Sequence, residues 1–219
     1  AVTHALSAAR LRDVLALAVA LLTCLAVYTY TLALDREALD IPLHYSGDSL
    51  QYGYLIRHFS LAGGVGAIDA AGTPFGTQHY DFPNADFTHL ALASTFSVGD
   101  SFGLGFNLFY LFGVLATCLA GYALARRVGL QPAWALLTAV AFTLLPFHFL
   151  RQPHLFYTNY SSLAVALWLA LEASGSAGSL VSRPWLRRGL LVLAALWCAS
   201  TGVYYAFFGC LLIGFAGLC

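Results

Sequence analysis

The chain has 219 residues, of which 60% are hydrophobic and only 9% are charged, and ten arginines balance ten acidic residues to a formal net charge of zero. A water-soluble fold of this length could not bury so large an apolar share in one core, so the composition excludes an ordinary soluble domain. Nucleic-acid binding is disfavoured too, because the basic residues are few and lie beside apolar segments. The chain is therefore predicted to be an integral membrane protein.

Apolar segments long enough to cross a bilayer follow one another along the chain. A hydrocarbon core of roughly 30 Å needs about 20 apolar residues in helical form. This criterion predicts an all-α, multi-pass fold with five spans, at about residues 14–34, 106–125, 132–149, 156–171 and 189–218. The last segment would rise about 45 Å as one helix, and Ser200-Thr201-Gly202 interrupts it midway. It is expected either to tilt or to break there.

The two termini suggest a piece of a longer membrane protein. Arg10 and Arg12 precede the first apolar run as in a signal peptide, but no small-x-small cleavage site comes before Asp35, so a retained anchor is expected. At the other end, Leu211 to Cys219 stop inside an apolar run. The chain is therefore interpreted as the N-terminal part of one larger transmembrane domain. Its cysteines lie within or at the end of apolar runs, so no disulfide framework is expected.

The arginines predict the orientation in the membrane, because positive residues in short loops stay cytoplasmic. Residues 35–105 then face outward, with eight acidic residues and two arginines. The short turn from His148 to His154 shares that outer face. Three groups of arginines fall on the other side when the spans alternate: Arg10 and Arg12; Arg126 and Arg127; Arg183, Arg187 and Arg188.

The outer segment, residues 35–105, is far longer than an ordinary connection, and such loops are usually functional or carry structure of their own. Apolar residues recur in it at helical spacing, which predicts two short juxtamembrane helices. The first should start at Asp48 and the second near Asn84. The residues that define the two periodic patterns are Leu50, Tyr54, Leu55, His58 and Phe59, then Phe87, Leu90, Ala91, Ser94 and Thr95.

Asp48 is the leading candidate for chemistry. It lies early in the outer segment, at the predicted start of a helix, where a carboxylate could take the proton of an acceptor hydroxyl as general base. The alternative is an N-cap, with Gln51 completing a capping box. One carboxylate oxygen can cap while the other reaches a substrate. For Asp86, the opening turn of the second helix is the favoured interpretation.

Arg151 is the best candidate for binding a phosphate. It is flanked by His148 and His154 on the predicted outer face, and its planar guanidinium can pair with phosphate oxygens in a bidentate manner. Arg57, nine residues after Asp48, is a second candidate. The alternative for Arg151 is that its side chain simply snorkels to the headgroups.

Three short motifs carry a resemblance to a known family. They are Gly47-Asp48-Ser49-Leu50-Gln51-Tyr52, Gly72-Thr73-Pro74 and Phe82-Pro83-Asn84-Ala85-Asp86. With the order of one span, a large outward loop and then closely spaced spans, the chain resembles the start of the GT-C superfamily of multi-pass glycosyltransferases. It is most similar to the bacterial branch that glycosylates cell-envelope polymers. In that superfamily the catalytic acid lies in the first outward loop, a position that Asp48 matches, although the paired Asp-Glu of some branches is not present.

The resemblance implies a function. A sugar would move from a polyprenyl-phosphate donor to an extracytoplasmic acceptor (a cell-envelope polymer, a lipid or a protein), in the inner membrane of a bacterium, with Asp48 as general base. Partners would be the lipid-linked sugar, membrane lipids and further membrane proteins. Some members use Mg²⁺ or Mn²⁺, for which Asp48 and Asp86 are the candidate ligands, whereas the outer histidines match no zinc signature. The predicted substrate-binding residues are Arg151, Arg57, His148, His154, Gln51, Tyr52 and Asp86.

Two other classes of function stay open. A flippase or transporter of lipid-linked sugars should carry polar residues and helix breaks at mid-membrane, for which Ser200-Thr201-Gly202 is the only candidate. A non-catalytic assembly subunit fits the spans equally well. The size and acidity of the outer segment are the main argument against it.

Overall fold

The structure is a computed structural model that describes residues 2–34, 38–62, 64, 67–68, 77–78, 86–97, 101–175 and 183–218. In these parts of the chain every element longer than three residues is an α-helix, which confirms the all-α fold class. Two-residue strands, β1 (Ala67–Ile68) and β2 (Thr77–Gln78), form one antiparallel pair. The helices are α1 (Val2–Thr31), α2 (Asp48–Ala62), α3 (Phe87–Phe96), α4 (Phe102–Arg127), α5 (Pro132–Thr143), α6 (Pro146–Leu150), α7 (Leu155–Thr158), α8 (Ser161–Ala173), α9 (Pro184–Ser200) and α10 (Val203–Leu218), with a 3-10 turn at Gln152–His154 before α7.

Among the described residues, three stretches of helix are long and apolar enough to cross a membrane: Ala9–Thr31, Phe102–Arg127 and Pro132–Leu150. They correspond to the first three predicted spans. The third consists of α5 and α6, which are separated just before Pro146. Proline explains the interruption, because it lacks a backbone N–H and its ring clashes with the preceding helical turn.

The predicted span at 156–171 is two helices, α7 and α8. Asn159 separates them, and its side-chain Oδ1 accepts a hydrogen bond from the hydroxyl of Ser161 at 2.7 Å, which anchors the start of α8. At 1.5 Å per residue, α8 is only about 20 Å long. It is shorter than the hydrocarbon core of a bilayer.

The predicted span at 189–218 is a helical hairpin. Helix α9 runs antiparallel to α8: Arg187 pairs with Glu172 at the end of α8, while Trp197 Nε1 donates a hydrogen bond to Ser161 at its start, at 3.3 Å. The chain then reverses at Gly202, whose φ of 131° is accessible to glycine and strained for other residues. The segment was expected either to tilt or to break, and the structure shows a break.

Helix α10 returns parallel to α8. The hydroxyl of Tyr205, near the start of α10, donates a hydrogen bond to the carbonyl of Tyr157 at 2.7 Å. About one helical turn further on, Gly209 packs against Ala166, where a Cβ on the glycine would lie 3.2 Å from the alanine methyl. The Gly202 turn therefore lies at one end of the bundle and not in the middle of a span.

Three groups of arginines meet at the opposite end of the bundle. Asp13 pairs with Arg126, and Glu172 pairs with both Arg127 and Arg187, at 2.8 Å and 2.7 Å. We call this the arginine end. Because Asp13 directly follows Arg12, the arginines in the first half of α1, at the end of α4 and at the start of α9 lie on one side of the bundle.

Helix α4 forms the centre of the fold and also holds the outer segment in place. Asn107 of α4 is buried, and its side chain bonds three backbone groups between residues 39 and 43: Nδ2 donates to the carbonyls of Leu39 and Ile41, and Oδ1 accepts from the N–H of Leu43. Gly103 allows this close approach, because a Cβ there would collide with the carbonyl oxygen of Asp40. The chain that leads into α2 is thus fixed to the core.

The two juxtamembrane helices exist, but their buried faces differ from the predicted ones. Helix α2 starts at Asp48 as predicted, yet it buries Tyr52, Leu55 and Ile56, while Leu50 and Tyr54 are 46% and 37% exposed. The reason is tertiary: the Tyr52 ring packs on Phe156 of α7 at 4.7 Å. Helix α3 starts at Phe87 and buries His89, Leu90 and Ala93. Asn84 and the Gly72-Thr73-Pro74 motif lie outside the described residues.

Candidate functional site

A polar cavity of about 690 Å³ opens at the end of the bundle opposite the arginine end. We call this the cavity end. The start of α2, the turns between α6 and α7, and the start of α10 form its walls. The lining residues are Asp48, Gln51, Tyr52, Phe147, Arg151, His154, Tyr157, Tyr204 and Tyr205.

Asp48 and His154 contact each other at the wall of this cavity. The carboxylate oxygen Oδ2 of Asp48 lies 2.8 Å from Nδ1 of His154, and the two side chains are 56% and 31% exposed. Asp48 is the first residue of α2, so Gly47, with φ of 56°, precedes the helix. The carboxylate is therefore paired with a histidine of another element, at a helix N-terminus that favours negative charge.

A short turn fixes the start of α2. The hydroxyl of Ser49 accepts a hydrogen bond from the N–H of Ser46 at 2.9 Å and donates one to its carbonyl at 2.6 Å. His44 Nδ1 lies 3.2 Å from the same hydroxyl. These contacts set the direction in which Asp48 leaves the backbone, and they do not involve its carboxylate.

Arg151 supplies the positive charge of the cavity. Its guanidinium carbon lies 5.7 Å from the centre of the Phe147 ring, within the range of a cation–π contact. The backbone N–H of Arg151 donates a hydrogen bond to the carbonyl of Phe147. This bond ends α6 and holds the two residues together. No carboxylate among the described residues forms an ion pair with this arginine. Its N–H donors therefore suit an anionic group that enters the cavity.

Tyrosines form the apolar walls. The Tyr157 ring packs edge-on against Tyr204 at 5.5 Å and against Tyr205 at 6.5 Å. Burial raises the pKa of Tyr52 and of Tyr157 above the ordinary value, so both hydroxyls stay neutral at physiological pH. Aromatic surfaces with a few polar groups are typical of small-molecule sites.

Asp86 lies beneath the cavity wall, at the N-cap position of α3. The predicted position is right, but the side chain makes no capping hydrogen bond. It is 4% exposed, and its Oδ1 has no hydrogen-bond partner among the described residues. This oxygen lies 3.3 Å from the place that a Cβ on Gly202 would occupy, below the turn between α9 and α10. Burial raises the pKa of Asp86 to about 6.

The structure brings together five of the residues that the sequence analysis proposed for the site. Two others lie elsewhere. Arg57 is exposed on α2 and does not line the cavity. His148 is fully buried, with Nδ1 2.8 Å from the carbonyl of Thr143 and its ring 4.5 Å from that of Tyr160. The five that line the cavity are Asp48, Gln51, Tyr52, Arg151 and His154.

Sequence reasoning did not select Phe147, Tyr157, Tyr204 or Tyr205 for the site. Phe147 and Tyr157 lie close to Arg151 in the chain, which was a usable signal. The pair Tyr204 and Tyr205 directly follows the break at Gly202, and only the reversal of the chain there brings them to the cavity.

The metal prediction stays a prediction. Among the described residues no three His, Cys, Asp or Glu side chains cluster as a metal site. Asp48 lines the cavity and Asp86 does not, so the two proposed ligands do not share its surface.

No family model, no curated protein and no solved structure matches the chain. The resemblance to the GT-C superfamily therefore depends on the short motifs and on the order of the elements.

Proposed function

We propose that the chain belongs to a multi-pass membrane glycosyltransferase, which moves a sugar from a polyprenyl-phosphate donor to an acceptor hydroxyl. The main support is the cavity, in which Asp48 and Arg151 line one space walled by aromatic rings. A carboxylate, a cation without a carboxylate partner and aromatic surfaces are the groups that this transfer needs.

The reaction needs a group that activates the acceptor hydroxyl and a group that stabilises the leaving phosphate. The acceptor oxygen forms a bond to the anomeric carbon and loses its proton, while the bond from that carbon to the phosphate oxygen breaks and its electron pair stays on the phosphate. Asp48 activates the acceptor hydroxyl, an effect worth typically about 10²–10⁴-fold. Arg151 stabilises the negative charge that develops on the leaving phosphate. Gln51 and Tyr52, which line the same cavity, would bond sugar hydroxyls.

We also propose an orientation and a location. Positive residues favour the cytoplasmic side, so the arginine end would face the cytoplasm and the cavity end would open outward. The donor phosphate would then reach Arg151 at headgroup depth in a bacterial inner membrane. Residues 35–105 would form the extracytoplasmic loop, and the acceptor would be a cell-envelope polymer, a lipid or a protein.

The alternatives have less support. The helix break that a transporter would place at mid-membrane is, at Gly202, a turn at the cavity end. A non-catalytic assembly subunit has no need for a cavity that combines a carboxylate with an arginine.

The test is a transfer assay with the full-length protein in nanodiscs, a panel of radiolabelled polyprenyl-phosphate sugars and membrane extract as acceptor. Wild-type protein should transfer a sugar from at least one donor, and Asp48→Asn should lower turnover at least about 100-fold. The matched control is Asp40→Asn, which removes an acid of the same outer segment that does not line the cavity. No transfer with any donor, or unchanged turnover in Asp48→Asn, would refute the proposal.

A further inference from the structure

The contact between Asp48 and His154 defines which nitrogen of the imidazole carries a proton. A separation of 2.8 Å between a carboxylate oxygen and a ring nitrogen is a hydrogen bond, and it requires a proton between the two atoms. An ionised carboxylate has none to give, so Nδ1 of His154 is the donor. In a neutral imidazole the other nitrogen, Nε2, then keeps a free lone pair.

An imidazole suits general-base catalysis at neutral pH better than a carboxylate does. Carboxylates as a class are much weaker bases than imidazoles at neutral pH, and general-base catalysis works best when the base is matched to the working pH. The carboxylate oxygen Oδ2 of Asp48 is also already occupied by the contact with Nδ1 of His154. The groups that face His154 are Asp48, the Tyr157 ring at 6.0 Å and, three residues earlier on the same cavity wall, Arg151.

We propose that His154 Nε2 takes the proton of the acceptor hydroxyl, and that Asp48 is a positioning residue that fixes the tautomer and the orientation of the ring. This inference rests on the proposed function. As the new bond to the anomeric carbon forms and the bond to phosphate breaks, the acceptor proton moves to Nε2. The imidazolium is stabilised by the carboxylate 2.8 Å away and later releases its proton to water. A carboxylate that is hydrogen-bonded to a histidine base holds the ring in one tautomer and orientation and stabilises the imidazolium.

The decisive variant is His154→Asn. The asparagine amide can place an N–H donor where Nδ1 of histidine lies, so the bond to Asp48 is kept, but nothing replaces the lone pair of Nε2. We expect kcat to fall about 10²–10⁴-fold, as it does in Asp48→Asn, with the donor KM nearly unchanged. The double variant should lose no more than either single one, because the two residues act as a unit. His58→Asn, in which the histidine does not line the cavity, is the matched control.

The tautomer provides a readout that a merely structural role would not move. In ¹⁵N spectra of histidine-labelled protein, His154 should carry its proton on Nδ1, and Asp48→Asn should change that tautomer. Wild-type turnover in His154→Asn, or an unchanged tautomer in Asp48→Asn, would overturn this inference while leaving the glycosyltransferase proposal intact. A wild-type protein that transfers no sugar would overturn both.

Discussion

The two ends of the helix bundle use the same kinds of charged residue in opposite ways. At the arginine end, Glu172 is buried and bonded by both Arg127 and Arg187. At the cavity end, Arg151 lines an open space and has no carboxylate partner among the described residues. The nearby Asp86 is buried, and its Oδ1 forms no hydrogen bond with any described residue. Charged groups that are fully paired hold helices together. Charged groups that lack a partner cost stability and are typical of functional sites.

The largest effect on stability is expected at the arginine end. Glu172→Gln should lower the free energy of unfolding by about 3–5 kcal/mol, because it breaks a buried ion pair and leaves Arg127 without that counter-charge. Reversible denaturation in mixed micelles measures this. Asp48→Asn, at a pair that is largely exposed, should change stability by less than about 1 kcal/mol. Equal losses in the two variants would contradict the distinction between the ends.

Substitution of Asp86 is expected to raise the free energy of unfolding, whereas Glu172→Gln lowers it. Its folded-state pKa of about 6 lies above the ordinary value of 3.8, so the unfolded chain ionises first as the pH rises. The wild-type protein therefore loses stability between about pH 4 and pH 6, and Asp86→Asn escapes that loss. The variant should gain on the order of 2–3 kcal/mol at pH 8 and almost nothing at pH 4.

Denaturation of wild type and variant across this pH range checks the sign. A variant that is less stable at pH 8 would show that the ionised carboxylate has a partner. A variant that is equally stabilised at pH 4 would show that the gain does not come from the charge of Asp86.

Arg151 should affect ligand binding instead of stability. Arg151→Gln should weaken binding of a polyprenyl phosphate about 10- to 100-fold, the loss expected for hydrogen bonds to a charged group. Arg188→Gln, at an exposed arginine of α9, is the matched control and should leave binding unchanged. Arg57→Gln distinguishes the sequence-based prediction from the geometry. The sequence-based prediction expects weaker binding, whereas the geometry expects no change, because Arg57 lies outside the cavity. Isothermal titration in nanodiscs gives the three dissociation constants.

A small loss of stability is expected at the cavity wall. Tyr205→Phe removes the hydrogen bond to the carbonyl of Tyr157 that holds the start of α10 against α7. We expect a loss of about 1 kcal/mol in unfolding free energy. A larger loss, comparable to that of Glu172→Gln, would mean that this wall is as structural as the arginine end.

The sequence predicted what local patterns determine. Apolar length found the three described stretches that could cross a membrane, and the Gly47-Asp48 pair marked the start of α2 correctly. Local patterns could not separate His148 from His154, which flank Arg151 at equal distances in the sequence. The end of α6 and the following 3-10 turn bury one and bring the other to Asp48.

Long-range packing decided the remaining features. The fold-back at Gly202 depends on contacts with α8, so the length of the apolar run could only suggest a tilt or a break. Asp86 has the sequence position of an N-cap, but its carboxylate lies under a turn more than one hundred residues away in the chain. The buried face of α2 likewise follows from Phe156 and not from periodicity alone.

The most direct test of the account is to find where a lipid phosphate binds. A polyprenyl phosphate with a diazirine next to the phosphate should label, on irradiation in nanodiscs, the peptides that carry Arg151 to Tyr157 and Tyr204 to Tyr205, and Arg151→Gln should suppress that labelling. Labelling confined to other surfaces, or labelling of these peptides that Arg151→Gln leaves unchanged, would contradict the claim that the cavity end is the site of transfer.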